Sequence, residues 1–328
     1  ILEVLSLTGM IFITNPVLLM FIRIISAIGF NAVVISAFAR INDTIKNNNR
    51  SKTNGIFHSI IFVATIISPF IGGLIADKYT YLDMFQVAQT GMIIILLGII
   101  MYDIFFYDER KALMHQRKKP KKDHDFNFVK HIRQMLKFKE LRALSFMGIA
   151  ANFTVPVKNI LLPLIIITNM NLSNTHLSIA LMVKSIGFIL EFWLSNFVDK
   201  IGKPKSIIIG QAVNTVGLVA LFFAPSFMWL LIILLLRSFG QGIWNIGAVS
   251  YMSDYGEKHN IEGKIYGSYV SLARVASASS FLIGGFLIAL FDTGIFILYA
   301  AVIALSIIIS GKVLWNAKEI STAKKATK

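Results

Sequence analysis

Seven ionisable side chains stand inside stretches that are otherwise apolar: Arg23, His58, Lys158, Lys184, Glu191, Arg237 and Arg274. A charge in the middle of a hydrocarbon layer costs roughly 3 kcal/mol or more, so each of these needs a reason to be there. Guanidinium and ammonium groups at such depth recognise carboxylates and phosphates. Lys158, Lys184 and Arg274 against Glu191 leave a positive excess, which points to a substrate with a negative group. Lys184 and Glu191 lie seven residues apart, two turns along one helical face, and can partly neutralise each other. Lys158 sits in VPVKNILLP (155–163), where Pro156 and Pro163 interrupt a helix and free carbonyls that a water-filled path can solvate. Arg274 sits among small residues in YVSLARVASASS (269–280), with no acid within two turns on its own helix; Glu191 is the candidate partner from another. His58 reads either as a satisfied polar residue or as a proton relay. Arg23 and Arg237 read either as inter-helix hydrogen bonders or as direct participants in coupling.

The elements that must position these residues are membrane spans. Of 328 residues, 55% are hydrophobic and 15% charged, and the mean hydropathy is +0.69. Runs such as MIIILLGIIMYDIFF (92–106) and MWLLIILLL (228–236) are apolar on every side, which a bilayer accommodates and a water-facing helix does not. Ten spans follow from the polar breaks: 1–15, 17–39, 55–76, 83–106, 143–168, 175–198, 206–224, 227–250, 264–290 and 293–315. Their interruptions are turn-forming, as at Asn15-Pro16, Pro204 and Ala224-Pro225. The absence of cysteine excludes disulfides and thiol chemistry.

The net charge of +15 is a topology signal. Arg40, Lys46, Arg50 and Lys52 fall on one side, with twelve basic residues between Arg110 and Arg142, then Lys200, Lys203, Lys205, Lys258 and Lys264. The C-terminal lysines fall there too, whereas the opposite side holds Lys78. By the positive-inside rule the basic loops and the C-terminus are cytoplasmic, with anionic lipid headgroups rather than nucleic acid as their partner. The longest loop, 108–140, separates four spans from six. Within it FNFVKHIRQMLKF (126–138) places Phe128, Ile132, Met135 and Leu136 at helical spacing, the pattern of an interfacial amphipathic helix; a disordered basic linker is the alternative.

A shift of 212 residues superimposes Gly55 on Gly267, Ser59 on Ser271, Ser68 on Ser280, and Ile71-Gly72-Gly73 on Ile283-Gly284-Gly285. Just upstream, Arg23 with Asn31 matches Arg237 with Asn245. The second and third spans thus recur as the eighth and ninth, which implies a repeat of six. Two spans are expected to be missing ahead of Ile1. Ala64, Ser68 and Gly72, four apart, form a smooth face for close helix packing, and Ala276, Ser280 and Gly284 repeat it.

This layout resembles the major facilitator superfamily, in which two six-span halves are related by a parallel repeat. VDKIGKPK (198–205) resembles its cytoplasmic loop motif, which singles out Asp199 and Lys200. IRIISAIG (22–29) and LRSFGQG (236–242) resemble its arginine-and-glycine element, and SPFIGG (68–73), with Pro69, Gly72 and Gly73, resembles its antiporter element. Ser68 departs from the glycine expected there. The resemblance implies an all-α polytopic membrane protein, a two-half helical bundle with ten of twelve spans present, four and six. Residues 1–107 would form an incomplete N-terminal half, 108–140 a basic linker, 141–316 the C-terminal half and 317–328 a tail. Lys158, Lys184, Glu191 and Arg274 would contact substrate. Arg23, His58, Arg237, Asp199, Lys200, Gly72, Gly73 and Pro69 would serve coupling and gating.

The implied function is secondary transport by alternating access, as proton-coupled efflux of a small organic, anionic solute. It needs no cofactor or metal and expects a monomer in a bacterial plasma membrane; heavy use of Ile, Lys and Asn suggests an AT-rich genome. An importer of an anionic nutrient or a lipid-linked substrate flippase is the rival within the class. A non-transporting sensor or an inactive fragment is the rival outside it. No glycine loop for nucleotides and no G-x-S-x-G element indicates an enzyme.

Overall fold

The computed structural model describes residues 2–44, 47–105, 128–155, 157–259 and 262–317. Their side chains are described except at 31, 34–59, 62, 103, 128, 157–158, 187–188, 191–192, 257 and 262–264. The described residues are helical almost throughout, and the chain divides into two compact units, 1–124 and 125–328.

The first unit holds α1 (Leu2–Phe12), α2 (Pro16–Thr44), α3 (Asn47–Lys78) and α4 (Tyr81–Phe105). Local chemistry sets two of the starts. The Asn15 side chain accepts hydrogen bonds from the backbone N–H of Val17 (2.9 Å) and Leu18 (3.4 Å), and Pro16 opens α2 where its missing N–H costs nothing. Thr80 and Asp83 cap α4 reciprocally: the Thr80 N–H donates to Asp83 Oδ2 at 2.8 Å and the Asp83 N–H to Thr80 Oγ1 at 3.2 Å. Helix α1 packs on α2 and α4. It is fastened by polar contacts inside apolar surroundings, Ser26 Oγ donating to Glu3 Oε2 at 2.8 Å and Gln89 Nε2 to Thr8 Oγ1 at 2.6 Å.

The second unit holds α5 (Phe128–Lys137), α6 (Lys139–Phe153), two π-helical segments (Val157–Leu161 and Leu164–Asn169), α7 (Asn174–Ile201), α8 (Lys203–Phe222), α9 (Phe227–His259), α10 (Glu262–Phe291), a short 3-10 turn (Asp292–Gly294) and α11 (Ile295–Trp315). Two apolar clusters form its core. One gathers Leu161, Ile166, Leu218, Leu234, Phe296 and Tyr299. The other gathers Met135, Leu144, Met147, Trp244, Tyr251 and Leu314. The amphipathic segment is a helix, and its apolar face is spent on protein: Met135 is buried in the second cluster, while Val129, Arg133 and Lys137 stay exposed. Helix α5, expected as part of a linker, therefore packs into the second unit, against α6 and α10.

Each of the ten expected spans corresponds to a helical element, although the element ends differ. Helix α9 runs to His259 and α3 starts at Asn47, because backbone hydrogen bonding continues past the apolar stretch. Four stretches of the described residues are long and apolar enough to cross a membrane: Tyr81–Tyr102, Lys203–Phe222, Phe227–Gly256 and Ile265–Trp315, the last comprising α10 and α11.

Candidate functional site

The interruption expected in VPVKNILLP is real and has a partner. Pro156 has no N–H to offer the Asn152 carbonyl, and after the turn at Thr154 the chain resumes with π geometry from Val157. Helix α10 supplies what is lost. Ser277 Oγ donates to the Asn152 carbonyl at 3.2 Å, and Ser280 Oγ donates to the Phe153 carbonyl. The serine-rich run of α10 thus meets the carbonyls at the end of α6, where the helical ladder is interrupted. On that side Ala273, Ala276 and Ser280 are buried.

A different side of α10 carries Gly267, Ser271, Arg274 and Ala278, spaced four, three and four residues apart; Gly267, Arg274 and Ala278 are exposed and Ser271 partly so. Arg274 makes no hydrogen bond or ion pair with an acid among the described residues. Among the described residues it is a cation in a stripe of small residues with no acid paired to it.

The second cationic feature lies in the seam between α8 and α9, which run antiparallel with glycines seven residues apart on each helix. A Cβ on Gly210 would lie 2.5 Å from the Trp244 backbone nitrogen and 2.7 Å from the Gly240 carbonyl oxygen. A Cβ on Gly240 would lie 2.9 Å from the Gly210 carbonyl oxygen. Gly217 leaves its space to the aliphatic part of Arg237, and Gly247 leaves its own to Ser206. These contacts bring the two backbones together and carry the Arg237 stem across α8. The buried guanidinium then donates through Nε to Asn214 Oδ1 at 3.1 Å, and Asn214 Nδ2 donates to Gln241 Oε1 at 3.2 Å. One helical turn from Asn214, Gln211 is fully buried with neither amide atom hydrogen-bonded. Lys184 on α7 is half-buried and within Coulombic reach of Arg237. The structure therefore places Lys184 within Coulombic reach of Arg237, a like charge, and links the arginine to two side-chain amides, Asn214 directly and Gln241 through it.

Asp199 and Lys200 are exposed at the far end of this seam and line a cavity of about 280 Å³. Gly202 joins α7 to α8 with φ 99°, a conformation that requires glycine, and Pro204 follows in the first turn of α8. The adjacent Lys203 Nζ pairs with Asp254 Oδ2 of α9 at 2.5 Å. The VDKIGKPK loop is thus tied to the end of α9 by an ion pair.

The first unit treats its expected residues otherwise. Arg23 is exposed, Pro69 and Gly72 are half-buried, and Gly73 is buried. The side chains of His58, Lys158 and Glu191 lie outside the described residues, as does that of Asn31. Gln211, Asn214 and Gln241 were not singled out by the sequence reading. Two amides three apart in the span 206–224 were the available signal, since buried amides in hydrocarbon need partners on a neighbouring helix.

No curated protein matches the chain. The Major Facilitator Superfamily profile matches residues 1–190 and again 144–328, so that the two matches span the whole length. Its members are transporters, and the apolar helices described above are those of a multi-pass membrane protein. The chain belongs to the Major Facilitator Superfamily and is a secondary transporter in kind.

Proposed function

We propose that this transporter carries a small organic anion out of the cell by alternating access, driven by protons. The observation that carries the reading is the imbalance of charge inside the second unit. Arg274 lies in an open stripe of small residues with no acid paired to it among the described residues, and Lys184 lies within Coulombic reach of the like-charged Arg237. Cations held this way at span depth are stabilised when an anionic group arrives between or beside them. Lys158 and Glu191 complete the proposed binding set, with Arg23, His58 and the VDKIGKPK loop in coupling and gating. The antiporter-like SPFIGG element supports the outward direction.

The test uses inside-out vesicles loaded against a proton gradient, with carboxyfluorescein as an anionic probe and ethidium as a cationic one. Gradient-dependent uptake of the anion is expected to fall at least about ten-fold in Arg274→Gln, a loss consistent with removal of one charge-assisted hydrogen bond. Preferential handling of ethidium, or undiminished anion uptake by Arg274→Gln and Lys184→Gln, overturns the reading.

A further inference from the structure

The C-terminal end of α11 is basic and opens onto two cavities. Lys139 from the start of α6 and Lys312 from the last turn of α11 line one cavity there, and Lys205 from the first turns of α8 lines a second that shares Ala317 with it. The cavities measure about 370 Å³ and 280 Å³. The larger opens between α6 and α11 and continues along Ile309 and Ile308, which are 56% and 75% exposed. Leu305, one turn further, is 55% exposed, so an open aliphatic strip runs straight into the lysines. Trp315, at the end of α11, presents its ring to Lys205, whose Nζ lies 5.5 Å from the ring centroid.

The acids nearby do not cancel this charge. Glu140 lines the larger cavity, but it also interacts with Tyr255 on α9. Asp199 lines the smaller one beside Lys200 and Lys205, leaving that cavity net positive. Lys139 and Lys312 have no acidic partner among the described residues.

We infer that this end of α11 is a binding site for one anionic phospholipid, its phosphate between Lys139, Lys205 and Lys312 and an acyl chain along Leu305, Ile308 and Ile309. The chemistry fits at three levels. Ammonium groups meet phosphate oxygens, the indole lies at the depth of the glycerol and ester groups, and the aliphatic strip meets hydrocarbon. The charge rule places this end on the leaflet where anionic lipids are abundant. The chain's own tail is a poor occupant, since residues 318–328 carry four lysines against one glutamate and are repelled by the cluster. The inference is independent of the transported substrate.

Native mass spectrometry of the full chain, released from mixed micelles of phosphatidylglycerol and phosphatidylcholine, tests it. The wild type should retain phosphatidylglycerol in preference to phosphatidylcholine. The triple variant Lys139→Gln, Lys205→Gln, Lys312→Gln should retain it on the order of ten- to a hundred-fold more weakly. A control triple of equal charge loss, Arg133→Gln, Lys137→Gln, Lys258→Gln, should bind as the wild type. Equal loss in the control, retention by the first triple, or equal retention of the two lipids by the wild type overturns the site. Should the triple fail to fold, quenching by brominated phosphatidylglycerol decides instead. It should be weaker in Trp315→Phe than in the wild type, with no such difference for brominated phosphatidylcholine. An equal response to both lipids overturns the site.

Discussion

Helices α3 and α10 carry the same run of small residues 212 positions apart, yet they use it in different ways. In α10, Ala276, Ser280 and Gly284 are buried, and Ser277 and Ser280 reach the carbonyls released beside Pro156. In α3, Ala64 and Ser68 are exposed and Gly72 is half-buried; a Cβ on Gly72 would meet Met84 Sδ at 3.4 Å, an ordinary contact. Upstream the contrast repeats. Arg237 is buried in the α8–α9 seam with an amide on its guanidinium, whereas Arg23 is exposed on α2. A sequence repeat marks equivalent positions along two backbones. What each position does depends on the helix that comes to lie against it, and the second unit supplies a broken helix and an amide-bearing helix.

The sharpest way to break this comparison is at a glycine where backbone meets backbone. Gly210→Leu should destabilise the protein by about 3 kcal/mol or more, since no side-chain movement clears the Trp244 nitrogen or the Gly240 carbonyl. Size-exclusion profiles of heated, detergent-solubilised protein would show it; a melting curve like that of the wild type would mean the seam is looser than described.

Next in size is the support of the buried arginine. Asn214→Ala leaves the Arg237 guanidinium without its amide acceptor and should cost roughly 1–3 kcal/mol. Arg23→Gln, at the matching position of the exposed copy, should stay within about 0.5 kcal/mol. Comparable losses in the two thermal unfolding curves would erase the distinction between the copies.

The serines give a smaller, cleaner contrast. Ser280→Ala should cost about 1 kcal/mol through the loss of its bond to the Phe153 carbonyl, while Ser68→Ala should be nearly neutral. Hydrogen exchange at residues 152–157 should rise in the first variant and not in the second. Smallest of all is Gly72→Ala, expected to change stability by less than about 0.5 kcal/mol because its Cβ finds only ordinary contact. A marked loss of folded protein there would show that α3 is packed as closely as α10.

Much of the architecture was legible in residue types. The apolar runs and their breaks located the helical elements, Pro156 and Pro163 located the broken span, and Pro204 located the break between α7 and α8, where the structure puts the reversal at Gly202. The site was legible in part. Arg237, Lys184 and Arg274 stood out because charge is costly in hydrocarbon, but nothing in the spacing told Arg237 apart from Arg23. The amides at Gln211, Asn214 and Gln241 passed unnoticed because one amide in a span carries little signal until its neighbour across the interface is known. The glycines at Gly210, Gly217, Gly240 and Gly247 passed for the same reason: a seven-residue spacing on each of two helices becomes a seam only when the helices face each other.

Sequence by itself therefore determined that the chain is a bundle of membrane helices, where charge is placed along each of them, and which stretches repeat. Those follow from properties local to a helix, namely hydropathy, proline and glycine chemistry, and the cost of charge in hydrocarbon. Only the tertiary structure decided which arginine is buried and bonded, which serines repair the break at Pro156, and which lysines gather at the end of α11. These depend on contacts between residues far apart in the chain, and such contacts are set by how helices pack against one another.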